Sequence, residues 1–71
     1  MADIRDKYGN VVFRIVGDRI NDTYGNWKYT IVGDRINDTY GNWKFNIRGE
    51  YLFDTYGNRL GEMKNIADLL K

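Results

Sequence analysis

Seventy-one residues make one small domain, near the size at which a single hydrophobic core barely outweighs chain entropy and is often supplemented by metals, disulfides or oligomerisation. The chain has no cysteine and no histidine, which excludes disulfides and removes both the commonest metal ligand and the usual general base near neutrality. Eleven basic against ten acidic residues leave a net charge of +1, so no nucleic-acid partner is expected from charge.

An aromatic content of 15% with no proline suits a packed sheet and argues against disorder. No run resembles a signal peptide or a transmembrane helix, so the expected location is the cytoplasm, with no membrane partner. The fourteen residues from Ile15 to Lys28 return unchanged from Ile31 to Lys44, a period of sixteen. Fainter copies extend the period to Ile4–Asn10 and Leu52–Asn58. The chain divides into hairpin units at about 2–16, 17–32, 33–48 and 49–64, followed by a tail, 65–71. Independent drift blurs repeats, so an identity this long points to recent duplication or to engineering, and engineering is the favoured reading.

In chain order, Val11–Ile15, Trp27–Ile31 and Trp43–Ile47 alternate apolar and polar residues with period two, the mark of half-buried strands. Each run ends at a glycine and an acid: Gly17-Asp18, Gly33-Asp34 and Gly49-Glu50. A two-residue loop with glycine first suits a type II′ turn and pairs Ile15 with Ile20, Ile31 with Ile36 and Ile47 with Leu52. The other connection is Asp-x-Tyr-Gly-Asn. A three-residue loop with a bulge there would set Ile20 beside Lys28, whereas a four-residue loop, Thr23 to Asn26, pairs Asp22 with Trp27 and Ile20 with Tyr29. The four-residue loop is therefore expected, with Gly25 and Asn26 in left-handed backbone and Asp22 accepting loop N–H groups.

This register predicts one dry face carrying Ile4, Val11, Phe13, Ile15, Ile20, Trp27, Tyr29, Ile31, Ile36, Trp43, Phe45, Ile47 and Leu52. The wet face would carry Arg14, Arg19, Asn21, Lys28, Thr30, Arg35, Asn37, Lys44, Asn46 and Arg48. The last unit breaks the pattern, placing Tyr51, Phe53 and Leu60 on the wet side and Gly61 where earlier copies have Tyr29 or Phe45. After it, Asn65 reads as the N-cap of a short helix with an apolar stripe of Ile66, Leu69 and Leu70. So short a helix must dock, and the patch of Tyr51, Phe53 and Leu60 is the expected dock, on the chain itself or on a neighbour. Tyr51, Phe53, Leu60, Ile66, Leu69 and Leu70 are thus the candidate self-association residues. The fold class is all-β: an antiparallel meander of about eight short strands with a C-terminal helix, closed as a barrel or ring through oligomerisation.

The signature Ile-x-Asp-x-Tyr-Gly-Asn, repeated at short spacing and closing on Asp54-Thr55-Tyr56-Gly57-Asn58-Arg59-Leu60-Gly61-Glu62 before a leucine-containing tail, resembles the small bacterial proteins called β-flowers. The resemblance covers nearly the whole chain and consists of turn chemistry rather than a catalytic signature. The Asp-x-x-Gly-Asn turn also occurs in the larger YD-repeat shells, whose longer period does not match. What the β-flower resemblance implies is a meander assembling into a symmetric ring. The near-identical second and third units depart from it, as in a natural protein lengthened by one unit.

Recurrent Asp6, Asp22, Asp38 and Asp54 could gather as ligands for a hard cation, but the loops lack the further oxygens such a site needs, and turn-holding aspartates are the simpler reading. An acid and base pair for glycoside hydrolysis would need two carboxylates in different environments, which identical repeats do not offer. Aromatic stacking beside basic groups would suit a sugar or a single strand, yet this register sets aromatics and basic residues on opposite faces. Tyr8, Tyr24, Tyr40 and Tyr56 at the hairpin tips are the better ligand candidates. The expected function is a self-assembling structural repeat that partners itself, without cofactor, metal or catalysis; the alternative is a sugar or anion module using those tyrosines or a central opening.

Overall fold

Alternating residues and glycine turns produce a single eight-stranded antiparallel meander, in the order β1 to β8, in the computed structural model, which describes residues 2–71. The strands are β1 (Ala2–Arg5), β2 (Val11–Val16), β3 (Arg19–Asp22), β4 (Trp27–Val32), β5 (Arg35–Asp38), β6 (Trp43–Arg48), β7 (Tyr51–Phe53) and β8 (Arg59–Glu62). A 3-10 turn, Met63–Asn65, and a one-turn helix α1, Ala67–Leu70, complete the chain. The sheet curls into a half-barrel around its apolar face.

The tight turns are those expected. Ile15 pairs with Ile20, Ile31 with Ile36 and Ile47 with Leu52. Gly17 has φ +64° while Asp18 stays at negative φ, the type II′ signature. The other loops differ from expectation. In the second unit Gly25 N–H donates to Asp22 C=O (3.1 Å) and Asp22 N–H to Asn26 C=O (2.9 Å), so the loop is Thr23-Tyr24-Gly25, three residues, and of Gly25 and Asn26 only the glycine takes positive φ. A three-residue loop alone would shift the face of everything after it, and a bulge restores the register: Asn21 pairs with Trp27, Ile20 with Tyr29, and Lys28 is the extra residue between. The same device recurs at Val12, Lys44 and Leu60.

The bulge exchanges two side chains per unit relative to simple alternation. Trp27 and Trp43, expected inside, turn to the outer face opposite Asn21 and Asn37, and Val11 turns out opposite Arg5 while Val12 packs against the core. Lys28 and Lys44, expected on that outer face, lie in the bulges. Leu60, expected beside Tyr51 and Phe53, is likewise the bulge residue, and Arg59 faces outward in its stead.

The interior keeps the period of the sequence. Ile4, Ile20, Ile36 and Leu52, one per unit, are fully buried, and Phe13, Tyr29 and Phe45 pack around them, the last two edge to face with ring centroids 6.5 Å apart. Burial of each such aliphatic side chain contributes about 2 kcal/mol. Ile66, Ala67 and Leu70 of the tail complete this core. The tail therefore docks inside the curl rather than on Tyr51, Phe53 and Leu60. Tyr29 O–H donates to Leu70 C=O (2.8 Å) and Lys7 N–H to an Asp68 carboxylate oxygen (3.2 Å), which ties the tail to the second and first units. Asn65 ends the 3-10 turn instead of capping the helix, whose first flanking residue is Ile66, and Leu69 faces outward. Strand β8 does not pair with β1; among the described residues the gap is bordered by Ala2, Ile4, Ile15 and Met63 around a cleft of about 170 Å3.

Gly61 explains the docking. It stands opposite Leu52 on the inner face, where an added Cβ would lie 3.0 Å from Ile66 Cγ2, and its φ is +150°, where side chains rarely sit. Tyrosine or phenylalanine there, as in the earlier units, would occupy the seat of Ile66. Gly61→Ala should therefore cost about 1–3 kcal/mol in urea unfolding and expose the Ile66 and Leu70 amides to hydrogen exchange. Unchanged stability with unchanged protection would contradict this packing.

Candidate functional site

At one end of the meander each repeated aspartate is a clamp. Asp22 Oδ1 accepts from Tyr24 N–H and Asn26 N–H, both 2.9 Å, and Oδ2 accepts from Asn26 Nδ2 at 3.1 Å. Asp6, Asp38 and Asp54 make the same set in their own loops. The Asn N–H bond is the largest influence on each carboxyl and holds its pKa below the ordinary value of 3.8. These oxygens are occupied by their own loops, and among the described residues no three acidic side chains converge on a point. The tip tyrosines Tyr8, Tyr24, Tyr40 and Tyr56 share that end, between 77% and 90% exposed. None of them lines the cleft between β1 and β8 or the two grooves of the outer face.

The outer face holds a different constellation, produced by the bulges. Each outward aromatic ring lies under a guanidinium: Arg19 over Trp27 at 4.9 Å, Arg35 over Trp43 at 4.5 Å, Arg59 over Tyr51 at 4.9 Å and Arg48 over Phe53 at 5.7 Å. The indoles are anchored through Nε1, which donates to Tyr29 C=O and Thr30 Oγ1 in one unit and to Phe45 C=O and Asn46 Oδ1 in the next. Asn21 Oδ1 and Asn37 Oδ1 are buried beside this layer with no hydrogen-bond partner. Aromatic and basic groups, expected on opposite faces, thus share one.

Two grooves cross this face one repeat apart. The larger, about 350 Å3, is lined by Asp34, Arg35, Trp43, Asn46, Arg48, Phe53 and Gly57. The smaller, about 240 Å3, carries Trp27, Thr30, Val32, Asn37 and Gly41 at the positions sixteen residues earlier, with Asp38 and Thr39. Asn46, Arg48 and Phe53 are therefore what distinguishes the larger groove. Strict alternation hid it; the signal was the Trp-Lys step directly after Asn, where a loop and a bulge both have to fit.

Of the candidate self-association residues, Ile66 and Leu70 are occupied in the chain's own core, Tyr51 and Phe53 belong to the arginine-stacked face, and Leu60 and Leu69 are exposed. Among the described residues no helix is long and apolar enough to cross a membrane. No family model, curated protein or solved structure matches the chain.

The clamp makes a pH prediction. A carboxyl whose pKa is lowered by folding binds its proton more readily in the unfolded chain, so its contribution is complete above the ordinary value near 3.8 and is lost as pH falls below it toward the folded value. The melting temperature should be level from about pH 7 to about pH 5 and fall steeply below. Asp38→Asn should melt lower at neutral pH and show a shallower acid limb. A melting temperature independent of pH down to about 2 would contradict the clamp.

Proposed function

We propose that the chain is a structural, self-assembling β-repeat protein without catalytic activity, an engineered or recently duplicated member of a scaffold whose hairpin number governs how many chains close a ring. The observation that carries the reading is the pair of edges without a strand partner, β8 and β1, the latter with the 3-10 turn Met63–Asn65 packed beside it. In an eight-stranded meander with β1 and β8 unpaired to each other, two rows of backbone donors and acceptors lack a strand partner, and such edges pair with other chains unless they are covered. A β8 edge joined to the β1 edge of the next copy is a head-to-tail contact, which closes into a ring when the rotation allows. The repeated motif residues support the structural part of the reading, because their side-chain hydrogen bonds are made to their own loops. Exposed Val16 and Val32 on the outer face and Leu60 and Leu69 near the last strand add apolar surface for contact between copies.

Native mass spectrometry and sedimentation equilibrium test the proposal. The expected result is a defined multiple of the 8.4 kDa chain. A variant lacking residues 17–32, in which Val16 joins Gly33, keeps every turn sequence and should fold with a changed subunit count. A monomer at both lengths and at high concentration would overturn the reading.

A further inference from the structure

We infer that the convex outer face binds single-stranded nucleic acid, with phosphates on Arg19, Arg35 and Arg48 and a base in the groove between Trp43 and Phe53. The first ground is sign. Net charge is +1, but the two faces and the rims do not share it evenly. On the inner strands the charged side chains that register sends outward are arginines, Arg14, Arg19, Arg35 and Arg48. The two strand acids that register sends outward lie on the edge strands and are already paired, Asp3 with Arg5 and Arg14, Glu62 with Lys64, which leaves Asp34 and Asp38 at the ends of the two grooves.

The second ground is the state of the guanidinium groups. Arg19, Arg35, Arg48 and Arg59 have no acidic partner within 4.0 Å among the described residues, and each is ordered by stacking on a ring. Stacking fixes the plane while leaving its N–H edge for a bidentate contact, which is the way arginine recognises phosphate. A surface meant only for solubility does not need arginine at every such position or a ring beneath each one.

The third ground is the groove. Trp43 and Phe53 form apolar walls, the guanidiniums of Arg35 and Arg48 that lie over them add planar surface and positive charge, and Asn46 supplies a polar edge. Asp34 is its single acid, at the end formed by the tight turn, and offers an acceptor for a base N–H. The Arg19–Trp27 pair lies two strands away, roughly 10 Å at ordinary strand spacing, so a flexible strand can reach both. Sulfated polysaccharides share the anion chemistry but have no planar ring to place between Trp43 and Phe53. Successive platforms of aromatic and basic groups on a sheet are how single strands are bound without strict sequence preference.

Fluorescence anisotropy of a fluorescein-labelled oligothymidylate of about ten nucleotides, titrated with the full chain, tests this. Saturable binding is expected, weakening with salt in proportion to about three phosphates engaged. Arg48→Val copies the residue of the smaller groove, Val32, and should weaken binding about tenfold with little change in melting temperature; Val32→Arg should strengthen it. Phe53→Leu should weaken binding at unchanged charge. The proposal is overturned by absence of saturable binding at low salt, by binding of heparin but not of the oligonucleotide, or by Lys71→Ala, on the tail and off this face, costing as much as Arg48→Val.

Discussion

Side chains on a strand alternate between faces, so a meander keeps one dry side only if every connection conserves parity. This chain meets that constraint with two devices of different kind. The glycine and acid turns add two residues and leave parity untouched. The Asp-x-Tyr-Gly-Asn connections form three-residue loops, which would reverse it, and a single-residue bulge immediately afterwards reverses it back. The aspartate clamp is what makes the loop short, since its carboxylate holds the Tyr and Asn N–H groups that a longer loop would leave to water. Loop, clamp and bulge form one unit of chemistry repeated four times, and both faces of the sheet depend on it.

The inner face follows directly. With parity restored, Ile4, Ile20, Ile36 and Leu52 line up at the period of the sequence and the aromatic residues Phe13, Tyr29 and Phe45 close around them. The last unit ends this series deliberately: Gly61 withholds the ring that earlier units supply, and Ile66, Ala67 and Leu70 enter the space. A helix of four residues has no stability of its own, so its order comes from that burial and from the Tyr29 and Lys7 hydrogen bonds to the tail. The half-barrel is thereby filled without β1 and β8 pairing, which separates the question of a dry core, solved within one chain, from that of the two edges that lack a strand partner.

Much of this was legible in the sequence because it rests on local rules. Period two marked the strands, glycine before an acid marked the type II′ turns, and the pairing of Ile15 with Ile20 and of Ile20 with Tyr29 followed from keeping apolar residues together. A three-residue loop with a bulge, expected to set Ile20 beside Lys28, instead pairs Ile20 with Tyr29 as a four-residue loop would, so parity does not distinguish the two. They differ only in where Trp27 and Lys28 point. Hydrophobicity favoured the wrong choice, because an indole with its N–H satisfied by Tyr29 C=O and its face under Arg19 is content outside. The tail was misplaced for a related reason: Tyr51 and Phe53 look like an unclaimed apolar patch until Arg59 and Arg48 are seen to cover them, and the vacancy at Gly61 is a tertiary fact that no neighbour in sequence announces.

The outer face is the consequence with functional weight, since the bulges bring indoles to the side where the unpaired arginines already stand. Isotope-edited NOE spectra of the Trp43 indole examine this placement most directly. The bulged register predicts contacts from the ring to the side chains of Arg35 and Asn46, with none to the methyl groups of Ile36 and Ile47. Strong NOEs to those methyl groups, with none to Arg35, would place the indole in the core and contradict the account.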